Sequence, residues 1–348
     1  MTVRLALHGA GMISMAHAAA ATALGHPVVA VASRTPERAA AVAARLGVPA
    51  VGYGDLPGSA DAVVVCTPPN RHHDDALRLL AAGSAVVVEK PLCRTLEEAD
   101  ALVAAAEDHG QRLLYAENLA YSPAVQRLLA LVDRVGDITH VEIRMLQSLP
   151  TWGGFTSDEW GGGALFDLGI HGVALALMIS NVAGLGRPSG VRATLRGGEG
   201  HGSDEHAEVT FVHGDTARLH LVASWQADSA PVWDVEVAGT AGVARLELQP
   251  AVALEWNGTP VSLPPPSQGV LPVLEELGYV GQLTAFVDDL ASSRRPMMSA
   301  SFGREALDAT MAAYAAAGRA EEVALPFAGR RDLTPLETWR LGLSRDTD

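Results

Sequence analysis

A glycine-rich segment near the N-terminus has the composition of a phosphate-binding turn. Gly9 and Gly11 directly follow an apolar run over residues 3–7, and a helical pattern begins immediately after them. A strand, a glycine turn and a helix in this order direct free backbone amides at a pyrophosphate. Ser14 stands where a third glycine is usual. The segment predicts a dinucleotide site, with a turn that holds no cofactor as the alternative. The predicted contacts are Gly9, Gly11, Met12 and Ile13.

The end of the next predicted strand, over residues 28–32, bears on which dinucleotide binds. An acid that would bind the ribose 2′-hydroxyl is missing from Ser33-Arg34-Thr35. A guanidinium there can pair with a 2′-phosphate or stack on adenine. The segment favours NADP(H), with NAD(H) also possible; the alternative is that Arg34 is a solvated loop charge. The predicted contacts are Ser33, Arg34, Thr35 and Arg38.

Three more polar segments follow predicted strands at their carboxyl ends, where open α/β sheets bind ligands. The first lies after residues 62–66, the second after 85–88 and the third after 112–115. A lysine in the second, Lys90, is aimed at the same crevice. The predicted cofactor contacts here are Cys66, Thr67, Pro68, His72, Glu89, Lys90 and Glu117.

An acid and an imidazole occur together later in the chain, after a run of three glycines that ends at Gly163. Asp167 and His171 are four residues apart in a predicted helix over 164–179, so they share one face. They can be a base and its orienting partner, or a structural pair. Trp152 and Trp160 flank the preceding loop and either stack on a sugar face or pack the loop.

Two polar clusters have the composition of metal ligands, the first being His72-His73-Asp74-Asp75 and the second His201 with Asp204-Glu205-His206. Both are predicted at loop edges without a matching second group, so we interpret them as solvated polar residues and expect no metal.

The elements that must position these residues fall into two patterns. Valine-rich strands alternate with helices up to about residue 120, which predicts a parallel, doubly wound sheet of the Rossmann type over 1–120. Strands in series dominate later, with a hairpin at 239–242, and predict an α+β domain over 121–348 with an open-faced, mostly antiparallel sheet. We expect the last fifteen or so residues to be loosely held.

Composition narrows the class of protein. The chain has 348 residues, 48% of them hydrophobic, and a net charge of −15, so it is globular and ill suited to nucleic acid or anionic lipid. Its two cysteines are too few for a disulfide framework. The chain has no apolar run long enough to predict a membrane helix. These features predict a cytoplasmic protein.

The ordered set of motifs resembles the Gfo/Idh/MocA family, which includes glucose-fructose oxidoreductase and inositol 2-dehydrogenase. The matching residues are Gly9–Ser14 with His17, Thr67-Pro68-Pro69 with His72, Glu89-Lys90-Pro91, Glu117-Asn118 with Tyr121, Gly161-Gly162-Gly163 with Asp167, Gly169 and His171, Gly239–Gly242, and Gly281-Gln282-Leu283 with Phe286. The resemblance implies an NAD(P)-dependent dehydrogenase or reductase acting on a CH–OH group of a sugar, polyol or related compound. It also implies catalysis by Lys90, Asp167 and His171, and a cis Lys90–Pro91 bond.

We expect substrate contacts from Lys90, Tyr121, Asp167 and His171, and from Trp152 and Trp160 of the loop described above. Which of Lys90 and His171 transfers the proton stays open. Ala174 stands where relatives often have aspartate, so the carboxylate of those relatives is missing there. Two alternatives are redox-neutral glycoside cleavage with a retained nicotinamide and a non-enzymatic, dinucleotide-sensing regulator. We also expect a homodimer or homotetramer, with Trp225, Val235 and Val237 near its interface.

Overall fold

The computed structural model describes residues 2–56, 58, 60–197, 202–214, 217–228, 230–267 and 269–344. They form two compact units. The first comprises the chain up to Cys93 with Glu97–Ser122 and Pro265–Arg304, and the second comprises Arg94–Leu96, Pro123–Pro264 and the residues from Glu305 onward. This division differs from the expected single domain over 121–348, because Pro265–Arg304 belongs to the first unit.

The first unit is built on a five-stranded parallel sheet with the order β2-β1-β3-β4-β5. Its elements are β1 (Leu5–His8), α1 (Met12–Ala23), β2 (Val28–Ala32), α2 (Pro36–Leu46), β3 (Ala62–Val65), α3 (Pro69–Ala81), β4 (Ala85–Glu89), α4 (Leu96–Asp108) and β5 (Leu113–Ala116). Further along the chain, α7 (Pro272–Glu276) and α8 (Tyr279–Ser292) also belong to it. Helix α8 packs against α1.

Valine, leucine and alanine make up nearly all of β1, β3 and β4, and every residue of these strands is buried. Such unbroken apolar runs are typical of parallel strands that are covered on both faces. The sheet therefore confirms the predicted Rossmann architecture, and it directs the segments after β1, β2, β3 and β4 to one edge, the carboxyl edge.

The second unit has a nine-stranded mixed sheet with the order β13-β12-β11-β10-β6-β9-β8-β7-β14. All neighbouring strands run antiparallel except β6 and β9, which are parallel. The strands are β6 (Ile138–Leu146), β7 (Gly190–Gly197), β8 (Asp204–His213), β9 (Ala217–Ser224), β10 (Val232–Gly239), β11 (Gly242–Gln249), β12 (Ala253–Trp256), β13 (Thr259–Pro260) and β14 (Val323–Ala324). The helices are α5 (Pro123–Val132), α6 (Ile170–Val182), most of α9 (Ala300–Arg319) and α10 (Pro335–Leu343). The predicted hairpin is confirmed, with Gly239 opposite Gly242.

The interface residues expected from the alternating strands lie on the wrong face. Trp225, Val235 and Val237 are at most 3% exposed, so they belong to the core. The other face of β6 and β10 carries charged residues instead, among them Arg144 and Asp234, which are cross-strand partners. Alternation with a period of two separates the faces of a strand, but it does not say which face is covered.

Helix α6 is buried along almost its whole length, from Ile170 to Ser180. The stretch Asp158–Val182 is long and apolar enough to cross a membrane by length and composition, but 94% of its most apolar window is buried inside the protein. It has the character of a core helix.

Residues 334–344 do not fit the expectation that the last fifteen or so residues are loosely held. Helix α10 covers Pro335–Leu343, and Trp339 is buried. Its N-terminus is a capping box, in which Thr334 accepts from the amide of Glu337 and the Glu337 carboxylate accepts from the amide of Thr334. Thr334-Pro335 followed by Glu337 was a readable helix-start signal.

Candidate active site

The turn between β1 and α1 requires glycine at its first position. Gly9 has a φ of +124°, and a Cβ there would lie 2.6 Å from the carbonyl oxygen of Cys66. Its amide donates to the carbonyl oxygen of Ala32 at 2.8 Å. The turn is therefore pressed against the ends of β2 and β3, and any side chain at Gly9 would push these segments apart.

Gly11, the N-cap of α1, faces open space instead. No described atom lies within 4 Å of the position of a Cβ there, and no described side chain caps the helix. Free amides beside an open cradle fit the pyrophosphate of a dinucleotide. Ser14 fills the third glycine position because it is fully buried and its hydroxyl donates to the carbonyl oxygen of Gly11 at 2.6 Å. Met12 is 65% exposed and Ile13 is half-buried.

The segment after β2 keeps its arginines at the surface, since Arg34 and Arg38 are both exposed. The Ser33 hydroxyl accepts from the amide of Thr35 at 3.3 Å, which folds the segment into a tight turn. Burial raises the pKa of Tyr53, against a hydrogen bond with the backbone of Arg34 that lowers it. The ring of Tyr53 stacks on that of His8 with centroids 4.0 Å apart.

His72 connects two of the strand ends instead of facing a ligand. It is 1% exposed, with Nδ1 2.8 Å from the carbonyl oxygen of Pro91 and Nε2 2.7 Å from that of Thr67. Burial lowers its pKa. Both ring nitrogens are engaged by backbone, so His72 can act on a cofactor only by positioning the Thr67 segment. Pro68 is the N-cap of α3, and burial raises the pKa of the Cys66 thiol well above its usual range.

A buried ion pair holds the segment that carries Lys90. Glu89 is 6% exposed, and its Oε1 lies 2.6 Å from Nε2 of His17 on α1. Its Oε2 accepts from the backbone amide of Lys90 at 3.1 Å. Burial alone would raise the pKa of Glu89, but His17 and Lys90 outweigh it and lower that pKa. The Lys90–Pro91 bond is cis, as the resemblance implied.

Glu117 and Tyr121 have structural partners within the first unit. Glu117 is 1% exposed and accepts from the amide of Leu119, capping the short helix Asn118–Tyr121. The Tyr121 hydroxyl accepts from the amide of Met298 at 3.3 Å. Burial raises the pKa of Tyr121 to about 12. The contact of Tyr121 was not readable from the sequence, because Met298 lies 177 residues away.

The helix that carries Asp167 and His171 begins with a wide π-helical turn, Leu165–Gly169, and continues as α6. A π-turn within a helix is rare and frequent at functional sites. Asp167 is half-buried and His171 is 5% exposed. Gly172 lets this helix lie close to the sheet, since a Cβ there would be 2.3 Å from Cδ1 of Leu221 on β9.

Asp204, which we interpreted from the sequence as a solvated polar residue, is instead a buried acid that fixes the start of this helix. Asp204 is fully buried; its Oδ2 accepts from the amide of Leu165 at 2.9 Å, and its Oδ1 accepts from the hydroxyl of Tyr314 at 2.5 Å. Tyr314 in turn accepts from the amide of Gly163 at 3.1 Å. Burial raises the pKa of Asp204, against these hydrogen bonds.

Trp233 on β10 is a second residue that the sequence did not single out. Its ring lies beside the imidazole of His171, with centroids 6.0 Å apart and planes tilted by 34°. Only the register of a distant strand brings the two together.

The two tryptophans of the loop before this helix differ in how far their side chains are packed. Trp160 packs edge-on against Phe155 with centroids 4.7 Å apart, whereas the side chain of Trp152 is 52% exposed. Trp152 is therefore the one whose ring is open to a substrate.

The two polar clusters considered for metal were expected to be solvated, but His72, Asp75 and Asp204 are buried. Side chains of the first cluster are engaged by neighbouring polar groups. His73 lies 2.9 Å from Asp74, and Asp75 lies 3.1 Å from His8 and 3.2 Å from Arg71. His201 lies outside the described residues. Within the part of the chain that the structure describes, no group of three His, Cys, Asp or Glu side chains could hold a metal ion.

Comparison with known proteins agrees with this geometry. Residues 3–117 match the description "Oxidoreductase family, NAD-binding Rossmann fold", and residues 125–245 match "GFO/IDH/MocA C-terminal domain". A candidate UDP-kanosamine synthase oxidoreductase subunit of Amycolatopsis mediterranei (strain S699) is 32% identical over 67% of this chain and 70% of that protein. Inositol 2-dehydrogenase of Rhizobium meliloti (strain 1021) is 24% identical over 93% and 100%.

Among solved structures, GenD2 from gentamicin A biosynthesis in complex with NAD superimposes with a TM-score of 0.82. It is 27% identical and covers 93% of this chain and 96% of its own. Together with the matched domains, these likenesses establish the class of the protein: the chain belongs to the Gfo/Idh/MocA family and is an NAD(P)-dependent oxidoreductase of the sugar and polyol type.

Proposed function

We propose that the protein transfers a hydride reversibly between NADP(H) and a secondary alcohol or carbonyl carbon of a sugar, polyol or related small molecule. The proposal is supported by the way in which two predicted catalytic residues are held. The backbone of Lys90 is fixed by Glu89, and His171 lies on a buried helix that begins with a π-turn. Relatives named inositol 2-dehydrogenase and D-xylose 1-dehydrogenase (NADP(+)) 2 support the substrate class.

Each residue then has a distinct role. His171 takes the proton of the substrate hydroxyl, and Asp167 orients the imidazole. Lys90 supplies positive charge to the developing alkoxide, while Glu89 holds the backbone of Lys90. The turn with Gly9 and Gly11, together with the segments at Arg34 and Thr67, would hold the cofactor, which when bound supplies a nicotinamide ring able to accept or donate hydride.

The preference for the phosphorylated cofactor rests on the segment after β2. Arg34 and Arg38 are both exposed there, and neither Ser33 nor Thr35 carries a charge that would repel a 2′-phosphate. Ser33 accepts from the amide of Thr35, so the turn that presents Arg34 is already formed. NAD(H) uses the same turn without the additional ion pair.

The test is a panel of polyols, aldoses, glycosides and lactones, assayed with NADP⁺, NADPH, NAD⁺ and NADH by absorbance of the reduced nicotinamide. On the substrate found, His171→Ala should lower kcat by about 10²–10⁴ with cofactor affinity nearly unchanged. His73→Ala, at a surface contact with Asp74 outside the charged sheet face, is the matched control and should retain turnover. Near-normal turnover by His171→Ala would contradict the proposed role.

The same panel separates the two alternatives. A redox-neutral glycoside-cleaving enzyme would retain nicotinamide through purification and release aglycone with no net change in nicotinamide absorbance. A dinucleotide-sensing regulator would bind cofactor and turn over nothing.

We further propose a homo-oligomer that uses the charged face of the nine-stranded sheet. This face carries cross-strand ion pairs between Arg144 and Asp234 and between Glu142 and His220. Rows of alternating sign can meet a symmetry-related copy without leaving like charges opposed. Light scattering should give a dimer or tetramer; a mass near the 36.2 kDa of one chain at micromolar concentration would contradict this.

A further inference from the structure

The imidazole of His171 and the indole of Trp233 are neighbours within the second unit, although 62 positions separate them in the chain. Their ring centroids are 6.0 Å apart and their planes are tilted by 34°. Trp233 pairs with Met145 on β6, and Met145 pairs with Ala223 on β9. A Cβ on Gly169 would lie 2.9 Å from Cβ of Ala223, so the same row of three strands underlies the turn that leads into His171.

A contact between side chains on the opposite face of the sheet fixes the backbone beside Trp233. Oδ1 of Asp234, the next residue, accepts from Nε of Arg144 at 2.8 Å. Oδ2 of Asp234 also accepts from Nη2 of Arg144. The register between β10 and β11 also shifts between Trp233 and Asp234. Such irregularities re-aim side chains and are frequent next to active sites.

The indole does not serve the fold as a hydrogen-bonding group. Its Nε1 is buried and has no hydrogen-bond partner among the described residues. A buried, unsatisfied donor costs free energy, so phenylalanine would fill much of the same space without that cost. The structure thus retains an unfavourable group at the position that touches His171, a pattern expected where stability is exchanged for function.

We propose that Trp233 is a positioning residue for His171. This inference rests on the proposed function, in which His171 accepts the substrate proton and becomes an imidazolium. The indole limits rotation of the imidazole, and the negative face of its π-system stabilises the cation that forms, since a cation within about 6 Å of an aromatic centroid is attracted. Trp233 acts through His171 and does not itself react.

The experiment compares Trp233→Leu and Trp233→Phe with Trp256→Phe, a control substitution in the same sheet whose ring contacts Arg134. On the substrate found by the panel, Trp233→Leu should lower kcat about 5–30-fold while KM changes less than about twofold. The primary isotope effect on kcat should rise because the chemical step becomes slower. Trp233→Phe should recover part of kcat, and Trp256→Phe should keep it.

If the role of Trp233 is purely structural, Trp233→Leu and Trp233→Phe should both lower the thermal midpoint and leave the kcat of the folded enzyme unchanged. That result would overturn the inference. Loss of kcat with an unchanged or raised midpoint supports it. The contact between the two rings can be tested without substrate by NMR, because the ring current of the indole should shift the ring-proton signals of His171. These signals should therefore differ between wild type and Trp233→Leu. Identical His171 signals in the two proteins would overturn the inference. An active His171→Ala enzyme would instead refute the proposed base, whereas an inactive His171→Ala with a fully active Trp233→Leu would refute only the role of Trp233.

Discussion

Nε2 of His17 on α1 lies 2.6 Å from Oε1 of Glu89, the residue that precedes Lys90, and both side chains are at least 92% buried. The first helix of the dinucleotide-binding unit thereby holds the carboxylate that fixes the backbone of Lys90. The contact joins the part of the chain predicted to bind cofactor to the part predicted to serve catalysis.

Removing His17 should destabilise the protein, because the carboxylate of Glu89 would stay buried without its partner. We expect His17→Ala to lower the free energy of unfolding by about 3 kcal/mol at neutral pH, measured in urea. The pKa of Glu89 is lowered in the folded state, so the contribution is present above its unfolded pKa and is lost as the pH falls through the folded one. Wild type and variant should therefore converge in acid. His140→Ala at an exposed ion pair is the control and should change little. Equal stability of His17→Ala and wild type at pH 7 would contradict this account.

The two glycines of the first turn should fail in different ways. Gly9→Ala places a Cβ 2.6 Å from the carbonyl oxygen of Cys66 at a φ of +124°, so we expect loss of stability and of cofactor binding together. Gly11→Ala meets open space, so the thermal midpoint should stay within about 2 °C while the Kd for NADP⁺ rises tenfold or more. Calorimetry and fluorescence titration measure the two quantities. Unchanged affinity in Gly11→Ala would mean that the dinucleotide does not use this cradle.

Cofactor preference should depend on Arg34. A guanidinium on the 2′-phosphate is worth about 1–3 kcal/mol, so NADP⁺ should bind roughly 5- to 150-fold more tightly than NAD⁺. Arg34→Ala should remove most of this difference without affecting NAD⁺. Arg45→Ala, in the last turn of α2, is the matched control and should leave the ratio unchanged. Tighter binding of NAD⁺ by the wild type would contradict the preference.

The contribution of Asp204 to the free energy of unfolding should change with pH in the opposite direction to that of Glu89. Burial raises its pKa in the folded state, so between the unfolded and folded values the folded protein binds more protons, and stability falls as the pH rises. Asp204→Asn lacks this titration. We therefore expect the advantage of wild type over Asp204→Asn to grow as the pH falls from neutral towards 3.8, the ordinary value for the group, in urea unfolding series. Asp158→Asn, at an exposed ion pair with Arg340, is the comparison. A constant difference across this range would contradict the assignment.

The sequence predicted most of the first unit because its signals are local. The strand that ends at His8, the glycine turn and the helix from Met12 are contiguous, and continuous valine runs mark β3 and β4. The hairpin at Gly239 and Gly242 was readable for the same reason. Local order is what backbone propensity and turn chemistry encode.

Contacts between distant segments were not readable. Asp204 reaches Leu165 across 39 positions, Tyr314 reaches Asp204 across 110, and Trp233 meets His171 only through the register of β10. The same limit explains why His72 was predicted as a cofactor contact, although backbone carbonyls engage both of its nitrogens. Residue type indicates what a side chain can do, whereas tertiary packing decides which partner it has.

The π-turn Leu165–Gly169 also shifts the phase of everything that follows it. An α-helix advances about 100° per residue, so one residue accommodated in a wide turn rotates the next segment by about that angle relative to an uninterrupted helix. Deleting a single residue from this turn would bring a different side chain to the position of His171, even if every other residue were retained. The length of the segment between Gly163 and Ile170 therefore specifies the proposed catalytic face of α6 as strictly as the identity of the histidine does.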